Sequence, residues 1–280
     1  MSTVNSAMIS AQVPGLPGRV ASRDGTAIAY ERLGAGPPLI LVDGALCSRA
    51  FGPMPKLAPL LAGHFTVYMY DRRGRGESGD GSTLAKEGEI EDLAALIHAA
   101  GGAAALVGLS SGAALALEAA AAGLPVTSVV AYEPPYVEPD GAIRGREHLR
   151  RLQELLAGGD RGGAVKYFMR SMVGVPAPVV MMMRVIPGVW RKLAAVGHTL
   201  PHDCIVMGDF TVPSPRLAGV KVPALVMHGS KTDARLKRAA AAVAQAIPGA
   251  QARTLDRQNH NVSAAALAPA VVEFLRSARR

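Results

Sequence analysis

A serine flanked by glycines is the first feature of the chain that could carry out chemistry. It lies in Gly108-Leu109-Ser110-Ser111-Gly112, between an apolar segment at 104–108 and an alanine-rich segment at 111–122. A G-x-S-x-G run between a strand and a helix puts its serine on a sharp turn, which needs very small residues on both sides. Such a turn lifts the hydroxyl above the sheet and directs the backbone N–H of Ser111 at the same point. The pattern predicts Ser110 as a nucleophile with an oxyanion donor beside it.

Two other interpretations of this motif remain open at this point. A glycine- and serine-rich segment can be an ordinary loop, and Ser111 could itself be the nucleophile. Ser111 is offset by one residue from the glycine pair, however, so its side chain would point elsewhere. The position of the motif between a strand and a long helix favours catalysis by Ser110.

The elements that must position this serine alternate along the chain. Short β-branched runs, each ending in a Gly, Pro, Asp or Ser cluster, predict strands. They lie at 26–33, 38–42, 65–70, 104–108, 126–132, 224–228 and 252–255. Longer helical runs between them lie at 88–100, 111–122, 234–247 and 264–276. This alternation predicts an α/β fold with a mostly parallel central sheet flanked by helices.

The alternation breaks once, after the strand at 126–132. From 136 to 217 the chain has helical pieces separated by prolines and no good strand. We therefore expect a core at 18–135 and 218–280, interrupted by an α-helical insertion at 136–217. A flexible N-terminal leader is expected at 1–17, because this stretch has neither the basic start nor the apolar run of a signal peptide.

Composition and charge limit the possible partners. The net charge of +8 is spread along the chain without interleaved aromatic residues or a known binding module, which argues against nucleic acid. No apolar run reaches the roughly 20 residues needed to span a bilayer. Two cysteines, Cys47 and Cys204, have no metal-ligand spacing and are expected to be free thiols. We expect a cytoplasmic protein; its oligomeric state is not predicted.

Several motifs, in order, resemble the α/β-hydrolase family from about residue 19 to residue 274. The serine motif is one of them. Asp71-Arg72-Arg73-Gly74-Arg75-Gly76-Glu77-Ser78 resembles the family's loop after its fourth strand, and Val42-Asp43-Gly44-Ala45 lies where the family usually carries His-Gly. The resemblance implies the α/β-hydrolase fold, with the insertion at 136–217 as a helical cap. The arginines at 72–75 are expected to clamp their loop by contacts with carboxylates and carbonyls.

The resemblance also implies a catalytic triad and an oxyanion hole. His260, which follows the last predicted strand, has the position of the family's general base. The acid is Asp233 in the loop after strand 224–228, or Glu133 after strand 126–132. Asp233 is preferred because the chain order then reads Ser, Asp, His, although it could instead cap the next helix. The second oxyanion donor, after Ser111, maps to the backbone N–H of Ala45.

Four residues are candidates for substrate binding. Asp43 replaces the family's histidine, and a carboxylate beside an oxyanion opposes it unless it is paired, protonated or turned away. Met181, Met182 and Trp190 belong to an apolar, methionine-rich part of the insertion, which suits an irregular hydrophobic ligand or simply packs the insertion on the core. No phosphate loop, metal cluster or dinucleotide fingerprint is present, so no cofactor and no metal is expected.

These observations predict a serine hydrolase that cleaves a carboxylic ester, lactone or thioester of an apolar small molecule through an acyl-serine intermediate. Asp43 keeps open a non-hydrolytic activity on the same scaffold, such as lyase, cyclase or acyl-transfer chemistry. A catalytically silent ligand-binding protein is a third hypothesis, which the intact Ser110 and His260 disfavour. Epoxide hydrolase and dehalogenase chemistry are disfavoured because those relatives carry aspartate at the nucleophile position.

Overall fold

The computed structural model describes residues 15–81, 84–137 and 142–279. Eight strands form one sheet in the order β1-β2-β4-β3-β5-β6-β7-β8. The strands are β1 (Leu16–Ala21), β2 (Ala27–Leu33), β3 (Pro38–Val42), β4 (Thr66–Tyr70), β5 (Ala104–Leu109), β6 (Val126–Tyr132), β7 (Ala224–Gly229) and β8 (Gln251–Leu255). The pairs β1–β2 and β2–β4 are antiparallel, and every other pair is parallel. The predicted fold class is confirmed.

Helices cover both faces of the sheet. They are α1 (Met54–Leu61), α2 (Lys86–Ala99), α3 (Ser111–Ala121), α10 (Ala234–Ala246) and α11 (Ala264–Ser277). Buried residues of α1 and α11 form one apolar cluster with the sheet, and those of α2, α3 and α10 belong to a second cluster. Alanine and glycine dominate α3, which is buried along all but its last residue, because small side chains let this helix lie close to the sheet.

The segment between β6 and β7 is helical, as predicted. It contains α4 (Ala142–Ala157), α5 (Arg161–Tyr167), a π-helical turn (Phe168–Val173), α6 (Ala177–Val185), α7 (Val189–Val196), a 3₁₀ turn (Gly197–Thr199), α8 (Leu200–Met207) and α9 (Ser214–Leu217). Buried residues of α8, among them Leu200 and Val206, join the same apolar cluster as α3. The insertion therefore packs on the core beside the helix that starts at Ser111.

The first strand was missed at the start of the chain. Leu16 and Pro17 belong to β1, which pairs antiparallel with β2, so the predicted leader does not extend to residue 17. Residues 1–14 of that leader lie outside the described part of the chain. The sequence signal was weak because β1 is an edge strand with alternating exposure and contains proline and glycine, which are disfavoured inside strands.

Candidate active site

Ser110 occupies a strained turn at the carboxyl end of β5. Its backbone has φ 55° and ψ −128°, a combination that non-glycine residues rarely adopt. The turn is held because the Ser110 N–H donates to the Tyr132 carbonyl at 2.9 Å, while the Ser110 carbonyl accepts from Ala113 at 2.9 Å as α3 begins. The side chain lines a cavity at this edge of the sheet. The turn therefore exposes the Ser110 hydroxyl to the cavity, as the motif predicts.

The two glycines of the motif are required by close backbone approaches. A Cβ on Gly108 would collide with the Gly112 carbonyl and lie 2.6 Å from the Ala113 Cα. A Cβ on Gly112 would collide with the Val42 carbonyl, which ends β3. Any side chain at either position would therefore push β5, α3 or the β3 loop away and displace Ser110.

The loop after β3 brings a second backbone donor to Ser110. A Cβ on Gly44 would lie 3.1 Å from the Ser110 Cβ, so this loop runs directly beside the turn. Ala45, Ser110 and Ser111 line the same cavity. The Ser111 N–H is the first of α3 and has no intrahelical acceptor, as at any helix start. Within the described residues the Ala45 N–H also has no acceptor. The two N–H groups can thus serve one anion together.

His260 lies in the loop between β8 and α11 and faces this cavity. Its ring Nδ1 lies 2.7 Å from the Glu133 Oε2 atom. The loop is anchored next to it, because the Tyr132 hydroxyl donates to the Asn259 carbonyl at 2.7 Å. Among the described residues no hydrogen bond joins Ser110 to His260, and such bonds are often long in ligand-free enzymes.

Glu133 is fully buried directly after β6, and its φ of 50° turns the side chain toward His260. Its Oε1 atom accepts from the Gly229 N–H at 2.8 Å and from the Thr232 hydroxyl. Burial alone would raise the pKa of this carboxyl, but the hydrogen bonds from His260, Thr232 and Gly229 outweigh burial and lower the pKa below its ordinary value. The carboxylate is therefore held ionised against the imidazole.

The structure places Asp233, the preferred candidate for the acid, at the start of α10. Asp233 caps α10, where its side chain accepts from the N–H groups of Arg235 and Leu236 at 2.9 and 3.2 Å. Its carboxylate is 49% exposed and makes no hydrogen bond to His260, which is bonded to Glu133. The capping role, weighed as the alternative for Asp233, is the one its contacts fit.

The arginines of the loop after β4 are buried clamps, as expected. Arg73 pairs with Asp92 at 2.7 Å and Asp24 at 3.0 Å, away from the cavity. Arg72 and Arg75 both pair with Asp203 of α8, at 2.7 and 2.8 Å. All three arginines are about 1% exposed. Asp203 lines the cavity and was not singled out in the sequence, because nothing nearby marks it as a partner of the arginine loop.

Asp43 does not line the cavity, which corrects its assignment as a substrate contact. It is buried, and its Oδ1 accepts from the Gly44 N–H at 3.2 Å. Burial raises its pKa to about 7, although the charges of Arg75 and Arg72 act in the opposite direction. A carboxyl with this pKa is largely protonated below neutral pH, which removes most of the conflict with a nearby oxyanion.

The other substrate-binding candidates also lie outside the cavity. Met181 and Met182 are 62% and 56% exposed on α6, and Trp190 packs under the Arg184 guanidinium at 5.3 Å. The apolar side chains that do line it are Pro135, Val137, Phe168, Met172, Val173, Met207, Phe210 and Leu236. Most come from the insertion, from a π-helical turn and the short helix α8, whose lengths are too short for a helical period to show which face points inward.

Polar side chains complete the cavity wall. His148 lines the cavity, and its ring Nδ1 lies 2.9 Å from the Tyr167 hydroxyl oxygen. Arg235 and Asp233 lie at its rim. The cavity has a volume of about 140 Å³, which suits a compact apolar group.

Within the described ranges no cluster of three or more His, Cys, Asp or Glu side chains could hold a metal ion.

Both cysteines are free thiols, as predicted. Across residues 15–81, 84–137 and 142–279, no helix has the length and apolar character to cross a membrane.

Fold and site together define a protein with the α/β-hydrolase fold, whose serine turn, histidine and buried carboxylate share one edge of the sheet. The model of the "Alpha/beta hydrolase family" matches residues 16–273. The chain belongs to this family.

Solved structures agree with this assignment. An alpha/beta hydrolase from Sphaerobacter thermophilus DSM 20745 is 50% identical with a TM-score of 0.84, over 92% of this chain and 100% of that one. A hydrolase from Pseudomonas aeruginosa PA01 is 23% identical with a TM-score of 0.69, over 94% and 98%. The enol-lactonase from Burkholderia xenovorans LB400 is 24% identical with a TM-score of 0.66, over 92% and 100%. The last two show the shared fold alone. The comparison with curated proteins gives no match.

Proposed function

We propose that this protein is a serine hydrolase that cleaves a carboxylic ester, lactone or thioester of a compact apolar molecule, with Ser110, His260 and Glu133 as its triad. The main support is the 2.7 Å contact between His260 and the buried Glu133, made on the wall of the cavity that also contains Ser110. A base oriented by an ionised carboxylate beside a strained serine is the arrangement that activates a hydroxyl.

The reaction would proceed through an acyl-enzyme. The Ser110 oxygen attacks the substrate carbonyl carbon while the free ring nitrogen of His260 takes the hydroxyl proton. Glu133 stabilises the imidazolium that forms, and the N–H groups of Ala45 and Ser111 stabilise the negative carbonyl oxygen. Breaking the bond to the leaving group transfers the proton to the departing alcohol, enol or thiol. Water, deprotonated by His260, then attacks the acyl carbon and releases the acid and Ser110.

The cavity wall supports an apolar, compact substrate. Phe168, Met172 and Phe210 of the insertion line the same small cavity as Ser110. Methionine fits irregular ligand shapes because it is unbranched and flexible. We propose that the insertion acts as the cap of the site, since most of the apolar wall belongs to it. His148 and Arg235 are among the polar side chains on the cavity wall.

The case for a non-hydrolytic reaction is weakened by the position of Asp43. That alternative depended on a carboxylate in contact with substrate, whereas Asp43 is buried behind the cavity wall. A silent binding protein has no need for Glu133 bonded to His260. Hydrolysis therefore remains the proposal with the most support.

The test uses a fluorophosphonate probe and a panel of p-nitrophenyl esters of increasing acyl length. We expect labelling and turnover by wild type, best with short acyl chains, and loss of both in Ser110→Ala. That substitution should lower turnover by about 10⁴- to 10⁶-fold. Products formed in ¹⁸O-water must carry the label. Unlabelled product would show a non-hydrolytic reaction, and the absence of both labelling and turnover in wild type would refute the proposal.

A further inference from the structure

A buried group of charges lies directly behind the two proposed oxyanion donors. Its members are Arg72, Arg75, Glu89 and Asp203, all at most 3% exposed. Arg72 makes a two-pronged contact with Glu89, with both N–O distances 2.6 Å, and both arginines share Asp203. Two positive and two negative charges balance when all four are ionised. Because buried charges are costly unless paired, the positions of these groups are strongly constrained by one another.

Arg75 is bonded to the peptide that carries the first donor. Its Nη1 donates to the Gly44 carbonyl at 2.6 Å. In a trans peptide the C=O and the following N–H point in opposite directions, so this bond directs the Ala45 N–H away from Arg75. A charged donor on the carbonyl also polarises the peptide and makes its N–H a stronger donor. The Ala45 N–H has no acceptor among the described residues.

Asp203 connects Arg75 to the second donor. Its Oδ1 accepts from the Ser111 hydroxyl at 2.7 Å, and its Oδ2 accepts from Arg75 at 2.8 Å. The Ser111 hydroxyl also accepts from Arg72 at 3.3 Å. The Ser111 hydroxyl therefore both donates and accepts a hydrogen bond, which constrains the side chain of the residue whose N–H begins α3.

We propose that Arg75 and Asp203 are positioning residues of the oxyanion hole, which hold the N–H groups of Ala45 and Ser111 at a fixed separation through the chain Gly44–Arg75–Asp203–Ser111. This inference rests on the proposed serine hydrolase function. Because Asp203 belongs to α8, the insertion supplies part of the support for the hole as well as the wall of the cavity. The rigid support counts most in the transition state, when the carbonyl oxygen becomes negative.

The test compares Arg75→Met, Arg75→Lys and Asp203→Asn with wild type on the best p-nitrophenyl ester. Removing a whole oxyanion donor costs about 10²- to 10³-fold in kcat. Misplacing one should lower kcat by roughly tenfold to a hundredfold, with KM changed by less than about threefold. Arg75→Lys keeps the charge without the forked contact and should give a smaller loss. The trifluoromethyl ketone with the same acyl chain forms an anionic adduct with serine, and its Ki should rise in parallel with the loss in kcat/KM.

Arg73→Lys is the matched control. Arg73 is equally buried in the same loop but contacts Asp92 and Asp24 instead of the donors. It should lower Tm as Arg75→Lys does while leaving kcat and the ketone Ki within about twofold of wild type. If Arg75→Met does not fold, the test compares kcat and the ketone Ki of Arg75→Lys and Asp203→Asn with those of wild type.

The outcomes separate the two proposals. Wild-type turnover with kcat and ketone Ki unchanged in folded Arg75→Lys and Asp203→Asn overturns the positioning role and leaves the hydrolase function intact. Equal losses in Arg73→Lys and Arg75→Lys would likewise reduce Arg75 to a structural role. A wild type that neither turns over an ester nor binds the ketone overturns both proposals.

Discussion

The Oε2 atom of Glu133 lies 2.7 Å from the Nδ1 atom of His260, although 127 residues separate them. Glu133 directly follows β6 and His260 lies in the loop after β8, so the parallel order β6-β7-β8 brings both to one edge of the sheet. Gly229 at the end of β7 and Thr232 in the loop after it donate to the other carboxylate oxygen of Glu133. The ends of β6, β7 and β8 and the loops that follow them therefore hold this carboxylate against the imidazole of His260.

The first prediction separates the two candidate acids. Glu133→Gln should lower kcat by about 10³- to 10⁴-fold, because the amide cannot stabilise the imidazolium. Asp233→Asn should leave kcat within about threefold, since Asp233 caps α10 and asparagine caps equally well. Steady-state kinetics on one ester measures both. A larger loss in Asp233→Asn than in Glu133→Gln would restore Asp233 as the acid.

The second prediction concerns the pH dependence of stability. Asp43 has a pKa of about 7 in the folded protein and an ordinary value near 4 when unfolded. Between these values the folded protein retains a proton that the unfolded chain has lost, so the free energy of unfolding falls as pH rises. The contribution of this group is about 1.4 kcal/mol per pH unit and levels off above its folded pKa.

Asp43→Asn should remove that loss. Urea unfolding at pH 5, 6, 7 and 8 should show the variant gaining stability relative to wild type up to about pH 7 and no further gain above it. The readout is the difference in the free energy of unfolding between the two proteins, because the contributions of the other titrating groups cancel in it. A difference that is constant from pH 5 to 8 would contradict the raised pKa of Asp43.

The third prediction uses two methionines of the insertion. Met172 lines the cavity, whereas Met181 is 62% exposed on α6. Met172→Ala enlarges the cavity by three heavy atoms and should shift the preferred p-nitrophenyl ester to a longer acyl chain, with a several-fold change in relative kcat/KM. Met181→Ala should leave the chain-length profile unchanged. The reverse pattern would return Met181 to the substrate site.

The fourth prediction concerns the turn that carries Ser110. Gly112→Ala places a Cβ against the Val42 carbonyl and 2.8 Å from the Asp43 carbonyl carbon. It should destabilise the fold by on the order of 2 kcal/mol and lower turnover at least tenfold by displacing Ser110. Gly63→Ala is the control, because its Cβ meets nothing within 4 Å. Thermal unfolding and ester turnover check both variants, and a fully active Gly112→Ala would refute the close approach.

The local sequence pattern determined most of the secondary structure of the core and the position of the serine turn. The strands from β2 to β8 and the helices α2, α3, α10 and α11 follow from runs of residues separated by turn residues, because periodicity and turn chemistry are local. The serine turn was equally visible, since the steric need for Gly108 and Gly112 is met within five residues. The edge strand β1 and helix α1 are not predicted by the local pattern; β1 contains proline and glycine, and α1 contains prolines.

Tertiary structure alone decided which side chains meet. Glu133 and Asp233 both follow parallel strands, and the sequence could not show that one turns inward with a φ of 50° while the other caps a helix. The cavity wall depended on how irregular helices of the insertion lie on the core, so Met181 and Met182 were placed inside although they face solvent. Asp203 reaches Arg72, Arg75 and Ser111 across roughly 90 to 130 residues of chain. Long-range pairing of this kind leaves no local pattern in a single sequence.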